Sequence, residues 1–280
     1  MSAIVFAAVL CGAALHASWN AIVKGGSDTL LSTVLVAASS SLIALAVVPF
    51  LPLPAPESWP YLVTSAALQL LYFALVAAAY RATDMSRAYP LMRGLAPTLV
   101  AIFGATFLGQ HLSAIGWAGI GLVSTGVFAM AFAVSGTGVA TSRRGTAFAL
   151  TNAAVIATYT LVDGTGVRLS GAPIAYSMWL FVLAMPILVW AIATRGCELR
   201  IYARTNLWRG IVGGLGTLGS YGITLWAMTR APVAMVAALR ETAIIFGLAI
   251  AAVVLGERVG PIRVAAAGLI VLGAITLRLA

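Results

Sequence analysis

The chain has 280 residues, of which 62% are hydrophobic and only 8% are charged. A soluble domain carries roughly 25% charged residues, so this composition excludes a water-soluble globular protein. The net charge of +9 comes from Lys and Arg residues scattered singly or in pairs, which excludes a basic tail for nucleic acid. The composition therefore predicts an all-α integral membrane protein whose solvent is the lipid bilayer.

Ten mostly apolar runs follow one another along the chain, and each is long enough to cross a membrane, which takes roughly 20 residues. The first run is predicted to be a retained helix rather than a signal peptide, because no basic segment precedes it. The first five runs lie near Ala3–Val23, Thr29–Leu51, Trp59–Tyr80, Ser86–Leu108 and Leu112–Ala133. The second five lie near Gly145–Val162, Pro173–Thr194, Leu207–Met228, Ala231–Leu255 and Gly260–Leu279, with a polar loop expected at Arg195–Asn206.

An internal repeat divides the chain into two halves. Leu91–Gly94 aligns with Ala238–Glu241 at an offset of 147 residues, and the same offset places Leu108–Gln110 on Leu255–Glu257. The predicted units are residues 1–133, a linker at 134–144, and residues 145–280. Because each unit has an odd number of spans, the second must enter the membrane from the opposite side. The sequence thus predicts two inverted five-helix repeats around a central cavity, with a binding site near mid-depth.

The basic residues predict the orientation. With the N-terminus outside, eleven Lys and Arg residues fall on the cytoplasmic side and three on the other side. Cytoplasmic loops are enriched in Lys and Arg, so both termini are predicted to be periplasmic in an inner membrane.

Two arginines lie inside predicted spans and are related by the repeat. A central Arg costs roughly 2.5 to 3.5 kcal/mol on insertion scales, so Arg93 and Arg240 are expected to face a wet cavity. The alternative is that each only reaches the interface or closes a structural pair. Glu241 is adjacent to Arg240 and points in a different direction, so an ion pair from Glu241 to Arg93 across the two halves is predicted.

Further polar side chains form stripes at helical spacing. On the first span His16, Trp19 and Asn20 share one face; His16 could carry a coupling proton or make only an interhelical hydrogen bond. A cavity lined with aromatic rings and a few amides suits a small amphipathic or zwitterionic solute. The alternative is that the aromatic rings anchor the protein at the membrane interface. The other stripes supply Gln69, Tyr72, Tyr80, Asn152, Tyr159, Asp163 and Tyr221.

The fifth and tenth spans are nearly free of polar side chains and rich in small ones, among them Gly126, Gly268 and Gly273. They are predicted to be packing helices outside any cavity. No phosphate-binding loop, metal-ligand spacing or nucleophile with its base occurs, so neither an enzyme nor a metal or other cofactor is predicted.

These motifs resemble the EamA-type members of the drug/metabolite transporter superfamily over essentially the whole chain. The clearest match is Leu255–Arg258 followed by Gly268 and Gly273, and Ala17–Asn20 is similar to the usual opening of the family. The first-half copy departs from the pattern at Gln110–His111, where Glu and Arg are preferred. The resemblance implies a cavity lined by the first, third, fourth, sixth, eighth and ninth spans.

The resemblance further implies a secondary transporter, typically an exporter of amino acids, here including aromatic ones. Arg93 or Arg240 would receive the solute carboxylate while one half rocks against the other. Two alternatives remain: a transporter of an anionic solute such as an organic phosphate or phosphonate, and a non-transporting membrane scaffold or sensor. The expected partners are a small solute and the bilayer, and a monomer already holds both halves. The residues predicted to bind solute are His16, Trp19, Asn20, Gln69, Tyr72, Tyr80, Arg93, Asn152, Tyr159, Tyr221, Arg240 and Glu241.

Overall fold

The computed structural model describes residues 1–83, 85–132, 142–253 and 259–280. Within these ranges all regular structure is helical. The 255–258 motif and most of the predicted 134–144 linker lie outside the described residues. The α-helices are α1 Ala3–Lys24, α2 Thr29–Val47, α3 Trp59–Ala82, α4 Met85–Phe107, α5 Ala114–Phe132, α6 Arg143–Leu169, α7 Pro173–Leu183, α8 Met185–Met228, α9 Val233–Arg240, α10 Ala243–Val253 and α11 Pro261–Leu279.

Most of these helices suit a bilayer. Seven helical segments in the described residues are long and apolar enough to cross a membrane, and two shorter apolar helices cover Leu91–Phe107 and Ala114–Met130. One of the seven, Pro173–Met228, has 56 residues, more than twice the roughly 20 that a single crossing requires. The chain is therefore a multi-pass helical membrane protein.

Short polar side chains start several of the helices. Ser2, Asp28 and Ser142 each accept a hydrogen bond from the backbone N–H three residues further on, at 3.3, 2.9 and 3.1 Å. Such caps satisfy N–H groups that have no partner within the helix. The starts of α1, α2 and α6 are thus determined by local sequence, and they lie within two residues of the predicted ones.

Two predicted spans differ from the structure because each is broken into two helices. The seventh is interrupted at Ala184, just before Pro186, and the ninth at Glu241–Thr242. The loop expected at Arg195–Asn206 is wrong, because α8 runs through it with a single non-helical residue, Arg195, at φ −138° and ψ 29°. Polarity marks where residues leave the bilayer, but Arg, Leu and Glu still favour a helix there.

The helices pack in a few extensive pairs. The most extensive joins α5 to α11; α3 packs along α6, both α1 and α2 pack along α8, and α4 lies between α5 and α6. The predicted role of the fifth and tenth spans as packing helices is thereby confirmed. Glycine permits the close approach, since a Cβ at Gly126 or Gly273 would lie under 3.0 Å from backbone atoms of the facing helix.

We expect Gly273→Ala to lower the free energy of unfolding by about 1 to 3 kcal/mol, because the added methyl group has no room. A Cβ at Gly273 would lie 2.8 Å from the backbone nitrogen of Val123. The matched control is Gly268→Ala on the same helix, where nothing lies within 4 Å of the added Cβ. That control should be neutral or stabilise by about 0.5 to 1 kcal/mol, as alanine is the better helix former. Reversible unfolding in mixed micelles measures both, and equal effects would contradict close packing of α5 on α11.

Candidate functional site

The ion pair predicted between the two halves is present. The Nη2 of Arg93 on α4 lies 3.2 Å from the Oε1 of Glu241, directly after α9. Their side chains are only 12% and 6% exposed, so the two charges are withdrawn from solvent together. A buried charge of this kind is tolerated only when it is paired and hydrogen-bonded. The pair joins α4 to the break between α9 and α10.

The break at Glu241–Thr242 was not predicted. The stretch 237–244 contains neither Gly nor Pro, so the sequence gives no signal for it. Backbone bonds of the tighter i to i+3 type close the turn, with Glu241 N donating to Ala238 O at 3.0 Å and Ile244 N donating to Glu241 O at 3.0 Å. The Thr242 hydroxyl donates to Leu239 O at 2.7 Å. Interrupted helices at membrane depth occur where backbone is buried in protein or lines a cavity.

Arg240, the last residue of α9, does not repeat the pairing of Arg93. Its guanidinium carbon lies 5.5 Å from the ring centroid of Tyr221 on α8, a cation–π arrangement. No described carboxylate forms an ion pair with it. Arg240 is thus a half-buried cation over a ring face, and its guanidinium N–H groups donate no hydrogen bond to any described residue.

Asp163 on α6 is a fully buried carboxylate that the predicted site omits. Tyr221 donates to its Oδ2 at 2.5 Å, and Tyr176 on α7 donates to its Oδ1 at 3.3 Å. The glycine at 166 makes room for this arrangement, because a Cβ there would collide with the Tyr176 hydroxyl. Tyr221 therefore connects Asp163 on one side to Arg240 on the other.

The predicted end of the sixth span explains this omission. That span was expected to finish at Val162, which treats Asp163 as a boundary residue, whereas α6 continues to Leu169. A signal was present, because Asp163 continues the stripe of Asn152 and Tyr159. An ionisable residue that follows a polar stripe into a span is a candidate for function.

The three polar residues predicted on α1 do not behave alike. His16 is half-buried with its ring edge-to-face on Trp19 at 5.2 Å, and the charges of Arg93 and Arg240 both act on it. Trp19 packs against Gly216 of α8, and its indole Nε1 is buried without a hydrogen-bond partner among the described groups. Asn20 is exposed, and its Nδ2 donates back to His16 O at 2.7 Å. His16 and Trp19 therefore lie with the arginines, and Asn20 does not.

The aromatic residues on α3 and α6 form one wall. Tyr72 meets Tyr159 edge-to-face at 6.1 Å, and Tyr80 packs into the same apolar cluster. Asn152 is fully buried, with Nδ2 donating to the Sδ of Met92 at 2.8 Å and Oδ1 lacking a partner among the described groups. Gln69 donates instead to Ser65 of its own helix at 3.1 Å. Met92, the residue that Asn152 contacts, directly precedes Arg93 on α4. This wall, which consists of Tyr72, Tyr80, Tyr159 and Asn152, therefore adjoins Arg93.

These groups form a polar cluster in which helices of both halves meet. The positive charges of Arg240 and Arg93 interact electrostatically with Tyr159 and Glu241. The charge of Arg240 also interacts with Asp163. Two buried acceptors, Glu241 Oε2 and Asn152 Oδ1, have no hydrogen-bond partner in the described structure. Native proteins leave few buried polar atoms unsatisfied, so such atoms point to a ligand-binding site. We call this group the central cluster; it consists of His16, Arg93, Asn152, Tyr159, Asp163, Tyr221, Arg240 and Glu241.

A cavity of about 340 Å³ lies elsewhere, between α3, α4 and α6. None of the residues predicted to bind solute lines it, and the exposed side chains of Phe107 and Leu108 place it at the outer surface of the bundle. It is therefore separate from the central cluster. Within the described ranges no group of three His, Cys, Asp or Glu side chains could hold a metal ion.

One solved crystal structure superposes on the chain with a TM-score of 0.75 at 18% identity, covering 99% of this chain and 96% of that one, which shows a shared fold. No curated protein matches the sequence. Residues 143–279, which contain Asp163, Tyr221, Arg240 and Glu241, match the model of the EamA-like transporter family. The second half of the chain is therefore similar in sequence to the EamA-like transporter family.

Proposed function

We propose that the chain is a secondary transporter of small zwitterionic solutes, with amino acids as the main class, and that it binds them at the central cluster. The observation that carries this proposal is the balance of charge. The cluster holds two arginines, Arg93 and Arg240, and two acids, Asp163 and Glu241, so with a neutral His16 its formal charge is zero. Only one arginine, Arg93, is committed to an ion pair with a described carboxylate.

The charge balance favours a zwitterion over an organic phosphate. A zwitterion adds no net charge to a buried site, whereas a phosphoryl group adds one or two negative charges that the acids of the site already repel. Withdrawing such a charge from water costs several kcal/mol unless opposite charge compensates it. An anion carrier built on two arginines would need both of them free, and Glu241 already neutralises Arg93.

The geometry supports a role for each group. Arg240 would receive the solute carboxylate through its paired N–H donors. The Oε2 of Glu241 and the Oδ1 of Asn152, both buried acceptors without a hydrogen-bond partner, would accept from the ammonium group. Tyr72 and Tyr159 would contact an apolar or aromatic side chain. Gln69 and Asn20, which bond within their own helices, are left with no role in binding.

Several contacts support ten crossings arranged as two inverted repeats. Arg278 Nη1 at the end of α11 donates to Met1 O at 2.5 Å, which requires an even number of crossings between the termini. Packing is also paired: α1 lies on α8 as α6 lies on α3, and α1 contacts α9 and α10 as α6 contacts α4. The break beside Arg240 provides a discontinuous helix of the kind that transporters place at mid-depth sites, around which the halves would rock.

The orientation that we propose places both termini in the periplasm of an inner membrane. At the opposite end of the bundle Arg209 Nη1 donates to Gly25 O at 2.6 Å, so the basic middle part of α8 and Lys24 at the end of α1 lie on the same side. Together with the excess of Lys and Arg expected on that side, this favours the cytoplasm for it.

Counterflow in proteoliposomes tests the proposal. Purified protein is reconstituted in vesicles preloaded with one unlabelled compound, and entry of the labelled compound is followed for a panel of L-amino acids, glycerol phosphate and aminoethylphosphonate. We expect saturable exchange with amino acids and none with glycerol phosphate. Exchange confined to the phosphorus compounds would replace the zwitterion with an anion, and no exchange with any of them would favour the scaffold alternative.

A further inference from the structure

Asp163 has a setting that solute binding alone does not explain. It is fully buried on α6, and groups from several elements face it: Ser65 on α3, Tyr176 on α7, Tyr221 on α8 and Arg240 on α9. The first three are neutral hydroxyl donors, and the cation lies beyond the ring of Tyr221. The carboxylate is thus held by donors without an ion pair to a described cation. An acid that stabilised the fold through its charge would be expected to contact a cation directly.

The repeat gives a second observation. The offset of 147 residues that relates Arg93 to Arg240 also relates His16 on α1 to Asp163 on α6. Each half therefore carries a titratable side chain at the same level of its first helix, and both are acted on by Arg240. Ionisable residues in such positions form the proton pathways of many membrane carriers.

We propose that Asp163 is the proton-binding site of this transporter and that its proton travels with the solute in the same direction. This inference rests on the proposed function. A proton from the more acidic side forms an O–H bond with a carboxylate oxygen of Asp163, and that bond breaks to water on the other side. The hydroxyls of Tyr176 and Tyr221 remain intact and reorient around the neutral acid.

The sign of the coupling follows from the charges. Protonation removes one of the negative charges that attract Arg240, which leaves its guanidinium more strongly attracted to a solute carboxylate. By reciprocity, a carboxylate bound at Arg240 also favours protonation of Asp163. Proton and solute therefore bind together and cross together. Where the outside is the more acidic compartment the flux is inward, which is uptake rather than the export that the family resemblance implies.

The test compares Asp163→Asn with the wild type, using the labelled amino acid that exchanges fastest in the panel. The wild type should bind it more tightly at acidic than at alkaline pH and accumulate it on the side to which a pH gradient drives protons. Because asparagine imitates the neutral acid, the variant should bind with an affinity independent of pH and lose gradient-driven accumulation. Glu57→Gln, which removes an exposed acid two residues before α3, serves as the control and should behave as the wild type.

Two further measurements separate this inference from the proposed function. Infrared difference spectra of ligand-free protein between acidic and alkaline pH should contain a carboxylic acid carbonyl band that Asp163→Asn removes and Glu57→Gln retains. This infrared band can be measured whether or not the wild type transports any amino acid.

Tyr221→Phe preserves the ring under Arg240 but deletes a hydrogen-bond donor to the ionised carboxylate of Asp163. The midpoint of pH-dependent binding should therefore move to higher pH. Gradient-driven accumulation by Asp163→Asn, or a carbonyl band unaffected by it, would overturn the proposal.

Discussion

Arg240→Gln is expected to weaken amino acid binding by about 2 to 4 kcal/mol, roughly 30- to 700-fold in Kd. The reason is that Arg240 is the arginine of the central cluster not committed to an ion pair with a described carboxylate, and its N–H donors are the groups best placed to hold a solute carboxylate. Glutamine retains a polar side chain of similar reach without the charge. Equilibrium binding in detergent and counterflow in vesicles measure the loss.

Two comparisons make this expectation specific. Arg230→Gln is the matched control, because Arg230, like Arg240, lies over an aromatic ring. Its guanidinium carbon is 6.0 Å from the ring centroid of Trp226, but the residue is exposed at the turn after α8. It should retain wild-type affinity. Arg240→Lys retains the charge but loses the planar fork, so an intermediate affinity is expected. Near-wild-type binding by Arg240→Gln would remove this residue from the site.

Glu241→Ala is expected to lower the free energy of unfolding by about 3 to 5 kcal/mol, because it removes the carboxylate that pairs with the buried charge of Arg93. For the same reason Arg93→Ala is an unsuitable probe of solute binding alone, since it leaves Glu241 uncompensated. The double variant Arg93→Leu/Glu241→Leu should recover most of the stability, because neither charge remains to be buried. A double-mutant cycle then measures the coupling between the two residues.

The chain offers a second Arg–Glu pair as the control for this cycle. Arg195 and Glu198 lie 3.7 Å apart on α8, but their side chains are 49% and 61% exposed. An exposed pair contributes about 0 to 1 kcal/mol, so Glu198→Ala should change the free energy of unfolding little. Equal losses from Glu198→Ala and Glu241→Ala would show that the buried pair has no special structural role.

The sequence alone predicted the class of fold and part of the site. The length of the apolar runs predicted the helices. The cost of placing a charge inside the membrane indicated that Arg93 and Arg240 face the interior of the bundle. The Arg93–Glu241 pair followed because Glu241, as a helix neighbour of Arg240, points elsewhere and had to find a cation across the interface. These inferences succeed because hydropathy and helix geometry are local properties that a bilayer enforces strictly.

Other features depended on contacts between distant segments. The hydrogen bonds that Asn20 and Gln69 make within their own helices were not predicted, because helical spacing identifies a face but not the carbonyl or hydroxyl that a side chain contacts. Asp163 escaped the predicted site because the sixth span was expected to end at Val162, and its hydrogen bonds to hydroxyls of α7 and α8, which are remote in sequence, could not be predicted.

What the sequence determined by itself is therefore the solvent of this protein, the positions of most of its helices and the rarity of its buried charges, since each follows from residue type and spacing. The tertiary structure alone decided where the ninth span breaks, which ring lies under Arg240, and which acid lies against Tyr221. Those outcomes depend on how helices from the two halves meet, because a buried charge is stabilised only by the partner that packing brings to it.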